Sequence, residues 1–211
     1  MKPTLPRLYL IRHGETEWSR SGRHTGRTDL PLTEQGTVMA RRLRPYLANT
    51  PFELVLTSPL LRARDTCMLA GLGEQARISA DLSEWDYGDY EGRSSDDICK
   101  EAPGWNIFRD GCPNGETPAQ VAERADRLIA GILALEGNIA LFSHGHFGCA
   151  LAVRWIGLAI LEGQHFALDP ASVSVLGPKP GHPQIPVIAK WNAGPLQAEL
   201  QIGAEDGHVS H

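Results

Sequence analysis

Leu8-Tyr9-Leu10-Ile11-Arg12-His13-Gly14 is a short apolar run that stops on an arginine, a histidine and a glycine. Apolar side chains at successive positions suit a strand covered on both faces, and Gly14 with the polar Glu15-Thr16 ends it. Such a strand delivers Arg12 and His13 to its own end, where their desolvation needs a compensating partner, and a bound anion supplies one. Residue frequencies alone produce Arg-His-Gly in roughly one chain of this length in a hundred. The tripeptide therefore decides nothing until the rest of a site is found; the plain alternative is a strand ending in two solvated polar residues.

Outward from this strand, strand-like and helix-like segments alternate, which is the signature of an α/β sheet. A loop rich in Ser, Gly, Arg and Thr covers 15–32, and loops of that length are uncommon unless functional. Thr33 caps a predicted helix running to about Ala48, with apolar positions Val38, Leu43 and Leu47. Residues 52–57 form a second predicted strand, and Pro59 starts a helix that carries Arg62 and Arg64. A weaker strand at 78–80 leads into an irregular region, 82–116, that propensity does not organise. Thr117 caps a helix through Ala134, since Val121, Ala125, Leu128, Ile132 and Leu135 recur at helical spacing. A strand at 138–143 and a helix at 147–156 follow, then short strands at 172–176 and 187–191 joined by a loose loop through Pro178 to Pro183. Residues 1–195 read as one domain and 196–211 as a disordered tail.

At 211 residues the chain buries a substantial core without staples. Its net charge of -5 argues against nucleic acid as a partner, yet most of its 20 basic residues are arginines, suited to bidentate phosphate binding. No apolar stretch approaches the roughly 18 residues of a membrane span and no signal-peptide core follows Met1, so a cytoplasmic protein without membrane contact is expected. Cys67, Cys99, Cys112 and Cys149 lack metal-site or disulfide-framework spacing and are expected to be free thiols. Oligomeric state is not legible.

Three predicted strands end in related chemistry: Arg12-His13, then Thr57-Ser58-Pro59 leading to Arg62, then Ser143-His144-Gly145. Ligands of open α/β sheets bind outside the carboxyl ends of strands, so two histidines and two arginines are expected to face one point. Such a cluster repels itself unless it binds an anion, and a phosphoryl group fits it. A lone histidine at a strand end is more often a satisfied polar residue; a pair, each followed by glycine and near an arginine, reverses those odds. Gly14 and Gly145 are expected to let the backbone approach the ligand and offer it N–H groups.

Leu10 to Trp18, Thr25-Gly26, Thr28 to Thr33 and Thr57-Ser58-Pro59 with Arg62-Ala63 resemble the histidine phosphatase superfamily, which includes the cofactor-dependent phosphoglycerate mutases. The resemblance runs from about Leu8 to Leu158. It implies a phosphoglycerate mutase-like fold, a three-layer α/β/α sandwich with a central, mostly parallel sheet, and a covalent phosphohistidine. By position it makes His13 the nucleophile, Arg12, Arg62 and His144 the phosphate pocket, and Ser19, Thr25 and Gly26 further lining, with Ser19 standing where many relatives carry asparagine. It makes Glu84 the general acid; from spacing alone, Asp86 and Asp89 in the same loop compete with it. No metal or cofactor is implied, because arginines supply the charge.

Glu84 to Gly92, Trp105 to Cys112, Asn114 to Thr117 and His144-Gly145-His146 are similar to the sedoheptulose 1,7-bisphosphatase-like branch. This implies a phosphatase acting on a small sugar phosphate or bisphosphate, with Trp85 or Tyr87 walling the sugar, Arg109 binding a distal phosphate and His146 in contact or support. Against these stand Arg109 as a surface arginine paired with Asp110 or Glu116, and the aromatics as packing of a long loop. The short segment between Glu84 and Thr117 favours hydrolysis over mutase transfer. Mutase activity, broad-specificity or phosphohistidine protein phosphatase activity, and a non-catalytic phosphate-sensing scaffold are the alternatives.

Overall fold

The computed structural model describes residues 4–194, so the expected tail lies outside the described residues. Strand β1 (Arg7–Arg12) is followed by a one-turn helix α1 (Glu17–Arg20), then by α2 (Glu34–Ala48), β2 (Phe52–Thr57), α3 (Leu61–Leu69) and β3 (Ala76–Ile78). Next come α4 (Ser95–Glu101), α5 (Ile107–Asp110), α6 (Pro118–Ile132), β4 (Asn138–Ser143), α7 (Gly145–Trp155), β5 (Val173–Lys179) and β6 (His182–Ala193). The strands form one six-stranded sheet in the order β3-β2-β4-β1-β5-β6. The β3, β2, β4 and β1 strands run parallel, and β5 and β6 add an antiparallel edge.

Alternation along the central strands explains the three layers. Leu8 and Leu10 of β1 with Ile139 and Leu141 of β4 pack against α6 and α7, through Val121, Leu128, Phe147 and Leu151. Ile11 with Ala140 and Phe142 faces the opposite way, against Leu43 and Leu47 of α2 and Cys67 of α3. Both faces of β1 and β4 are thus covered, as the uninterrupted apolar runs require. No helix of the described residues is long and apolar enough to cross a membrane.

Several local expectations shift. The 15–32 loop contains α1, which Thr16 and Ser19 nucleate through a capping box. On α2 the buried stripe is Gly36, Ala40, Leu43 and Leu47, and Val38 is exposed. α3, expected from Pro59, begins at Leu61, with Leu60 extended as its N-cap. The third strand lies at 76–78, where it pairs with β2, and 80–82 is a 3₁₀ turn. The expected loose loop at 178–183 is a tight hairpin, with Lys179 opposite His182 and Gly181 at φ 74°. The helix after β4 begins at Gly145 with His144 as its N-cap, two residues earlier than expected.

Candidate active site

Strand register, rather than proximity in sequence, assembles the floor of the site. β1 and β4 pair in parallel with Arg12 opposite Ser143, so His13 and His144 each stand one residue past a neighbouring strand end. The His13 N–H donates to Ser143 O at 3.0 Å, and the two imidazole centroids are 5.1 Å apart. β2 pairs with β4 on the other side, and Ser58, one residue past its end, shares a 2.8 Å hydrogen bond between its Oγ and His144 Nε2. His13, with Arg12 and Glu84, lines a cavity of about 290 Å³; the expected pocket residues Arg62 and His144, like Ser58, are buried behind that lining rather than part of it.

Hydrogen bonding fixes the state of His13. Its Nδ1–H donates to the carbonyl of Gly14 at 2.7 Å, and since a carbonyl only accepts, the ring proton is on Nδ1 and Nε2 keeps its lone pair. Burial, then Arg62 and Arg12, hold the imidazole well below its ordinary value, so it is neutral at pH 7. His144 is held down likewise by burial, Arg62 and His13.

The two arginines are anchored by carbonyls. Arg62 is 0 % exposed, with Nη1 donating to Thr28 O at 3.0 Å and Nη2 to Thr25 O and Gly26 O at 2.9 and 3.0 Å. Arg12 donates Nη1 to Leu168 O. Arg12 Nε, Arg62 Nε and His144 Nδ1 are three of five buried side-chain polar atoms without a partner among the described residues. Each such atom costs about 1–3 kcal/mol unless something completes it, and all three belong to residues that neighbour His13.

Glu84 reaches the same cavity from the 82–116 region. Its Oε1 accepts from Trp85 N at 2.9 Å and Phe147 N at 2.8 Å, and its Oε2 from His146 N at 3.1 Å, so the carboxylate also completes the first turn of α7. Asp86 is paired with Arg27 at 2.8 Å, Asp89 accepts from Asn114, and neither lines the His13 cavity. Geometry thus separates three carboxylates that spacing could not rank. Tyr87, whose phenol burial and Glu84 push well above its ordinary value, shares a 2.5 Å hydrogen bond between its hydroxyl and Nδ1 of His146. The ring of Tyr87 also stacks on His24 at 4.7 Å.

Ser19, Thr25, Gly145 and His146 line the cavity as expected residues, but other expectations are corrected. Gly26 does not line it; a Cβ there would meet Trp85 O at 2.6 Å and Glu91 Oε2 at 2.7 Å, and its N–H donates to Glu91. Trp85 is wholly buried, edge-on to Phe108, with Nε1 donating to Glu116 O at 2.9 Å, so it packs the loop and meets no ligand. Arg109 is exposed and bidentate to Asp110, at 2.8 Å through both Nε and Nη2, away from the cavity. Gly14 is not open to a ligand either. Its N–H donates to Thr66 Oγ1, and a Cβ on it would sit 2.5 Å from Gly36 O, so it admits α2 against β1.

Other contributors escaped sequence reasoning. His24, Arg23 and the 166–168 segment complete the cavity wall. Glu91 accepts from Gly26 N and Thr28 N and so fixes the turn whose carbonyls hold Arg62. Arg124, 8 % exposed, donates to Asp81 O, Ser83 O, Glu84 O and both oxygens of Glu116, whose Oε2 also accepts from Asp86 N. One signal for it existed. Arg124 lies on the Val121-Ala125-Leu128 face of its helix, where a charge needs a buried partner. Ala171 is held at φ 54°, and its N–H bonds the carbonyl of His13.

Residues 8–192 match the family model described as the histidine phosphatase superfamily, branch 1. The chain belongs to the histidine phosphatase superfamily. It is 42% identical over 188 residues to an acid phosphatase of Mycobacterium tuberculosis, covering 86% of this chain and 91% of that one. It is also 42% identical over 193 residues to the sedoheptulose 1,7-bisphosphatase of Saccharomyces cerevisiae, covering 76% and 71%. The solved structure of the open reading frame Rv3214 from Mycobacterium tuberculosis superposes with a TM-score of 0.83 at 38% identity, over 90% of this chain and 98% of that one. This histidine phosphatase therefore has the phosphoglycerate mutase-like sandwich, and it is an enzyme that hydrolyses phosphomonoesters.

Proposed function

We propose that the His13 cavity hydrolyses the phosphomonoester of a small sugar phosphate or sugar bisphosphate through a phosphohistidine. The observation that carries this reading is a neutral imidazole, its Nε2 lone pair free, that lines a cavity with Arg12 and Glu84 and has Arg62 and His144 as buried neighbours. In the first step His13 Nε2 attacks phosphorus and the bond from phosphorus to the ester oxygen breaks. Arg12, Arg62 and His144 stabilise charge on the phosphoryl oxygens, and Glu84 gives its proton to the leaving oxygen. Glu84 Oε2, with a single contact of 3.1 Å, is the oxygen freer to carry that proton. In the second step water attacks phosphorus, Glu84 takes a proton from it, the phosphorus–nitrogen bond breaks and inorganic phosphate leaves. Two guanidinium groups supply the positive charge, so the proposed mechanism has no metal step.

A cavity of about 290 Å³ suits a metabolite. The polar rings of His24, Tyr87 and His146 suit its hydroxyls, and the yeast relative's name gives a sugar bisphosphate as the first compound to try. Four free thiols, three of them buried and raised to about 12, suit a reducing compartment such as the cytoplasm. Phosphate release should be measured on a panel of phosphorylated sugars, acids and nucleotides with the wild type and His13→Ala. The variant is expected to lose at least about a thousandfold in kcat, as removal of a covalent nucleophile does. Wild-type-like turnover by His13→Ala would overturn the reading.

A further inference from the structure

We propose that Arg23 recognises a second anionic group, a phosphate or a carboxylate, at the end of the substrate remote from the phosphoryl group attacked by His13. This rests on the hydrolytic reading above and adds to it a residue that selects the substrate. Two arginines line the cavity, and they are placed differently. Arg12 sits on the floor beside His13, tied to Leu168; Arg23 is an exposed residue of the wall. The other arginines of the surrounding loops are already matched: Arg27 with Asp86 at 2.8 Å, Arg93 with Glu101 at 2.9 Å and Arg109 with Asp110 at 2.8 Å. The Arg23 guanidinium makes no hydrogen bond or ion pair with any of the described residues.

Its backbone, in contrast, is fixed. The Arg23 N–H donates to Trp18 O at 2.8 Å, and Arg23 bridges Ser94 in an antiparallel contact. Its neighbour His24 donates to Arg93 O and accepts from Gly92 N, both at 2.9 Å. The arginine thus springs from a point held between two segments, with only its side chain left to arrange. The rings that line the cavity with it carry no competing positive charge. Burial holds both His24 and His146 at about 4, and Tyr87 is a neutral phenol. A substrate with one anion on the floor therefore meets uncharged rings, the Glu84 carboxylate that serves the leaving oxygen, and a single permanent cation at the wall. A guanidinium in that position pairs bidentately with phosphate or carboxylate and gives little to an uncharged tail.

The test compares matched substrates that differ only in the second anion: sedoheptulose 1,7-bisphosphate with whichever of its two monophosphates keeps the ester that is cleaved, and 3-phosphoglycerate with glycerol 3-phosphate. Wild type, Arg23→Ala and Arg23→Lys are assayed on all of them, with His13→Ala as the reference for the chemistry. For Arg23→Ala the loss in kcat/KM on a two-anion substrate is expected to exceed that on its one-anion partner by about tenfold, carried by KM. Arg23→Lys should recover part of it, as a point charge without the fork. Equal losses on both members of each pair, or no loss on either, would overturn the proposal while leaving the hydrolytic reading intact. Retention of turnover by His13→Ala strikes the hydrolytic reading itself.

Discussion

At the floor of the site, His13, Ser58 and His144 stand one residue past the ends of three parallel strands, the β-ladder sets their spacing, and His13 is the one of the three that lines the cavity. On the wall, Glu84, Tyr87, His24 and His146 depend on side-chain ties between segments far apart in sequence: Arg124 to Glu116, Glu91 to the 26–28 turn, and Tyr87 to His146. The floor is specified by backbone hydrogen bonds that no single substitution removes. The wall is specified by a few ion pairs and rings, each replaceable one at a time. Apart from Glu84 and the brace that holds it, the wall is therefore expected to set specificity rather than chemistry, and specificity to be open to change without loss of the fold.

The largest effect should fall on the floor. His13→Ala is expected to cost at least about a thousandfold in kcat while the thermal midpoint stays close to wild type, because the strand ladder does not use the imidazole. A comparable fall in stability would mean that floor and scaffold are not separable as argued.

Legibility in the sequence followed the same division. Apolar runs at 7–12, 52–57 and 138–143 announced the three strands that carry the floor, and the rule that ligands sit beyond strand ends brought Arg12, His13 and His144 together. Thr33 and Thr117 marked two helix starts because N-caps are local signals. The wall was opaque because its logic is not local. Whether Trp85 faces a ligand or a core depends on Phe108 and on a bond to Glu116 O, and whether Arg109 is available depends on Asp110 beside it. Arg23 and Arg109 look alike in the sequence; only the fold shows which lines the cavity.

Breaking the principal wall brace should give an intermediate effect. Glu116→Gln keeps an acceptor but loses the ion pair to Arg124, 2.8 Å long and mostly buried, that holds the carbonyls of Ser83 and Glu84. If that pair positions Glu84, kcat should fall about tenfold with KM little changed, within the range that general acid catalysis supplies. The fall should be steeper for sugar phosphates, whose leaving oxygen needs a proton, than for p-nitrophenyl phosphate, whose leaving group does not. Equal losses on both substrates would reduce Glu116 to a purely structural support.

A third effect is set by pH. The folded wall holds His24 at about 4 against an ordinary 6.5, so between those values the unfolded chain binds more protons than the folded one. Stability is accordingly complete above about 6.5 and is lost as pH falls through that window. From pH 7 to pH 5 this histidine alone accounts for about 2 kcal/mol. His24→Phe keeps a ring against Tyr87 and removes the titrating nitrogen, so urea unfolding of the variant should lose less stability over the same interval, by about that amount. An unchanged pH dependence would show that His24 is not held neutral by burial.

The smallest effect is expected at Arg109, and its smallness is informative. Its guanidinium is bidentate to Asp110, the residue next to it, at 2.8 Å, on an exposed surface outside the His13 cavity. An exposed pair of this kind contributes little to stability, and its loss removes nothing that a substrate touches. Arg109→Ala should therefore leave kcat/KM within about twofold of wild type on two-anion and one-anion substrates alike, in the same assays that separate them for Arg23→Ala. A selective loss at Arg109 on bisphosphates would mean that the loop carrying α5 closes over bound substrate. The wall would then extend to a segment that, in this structure, stands apart from it.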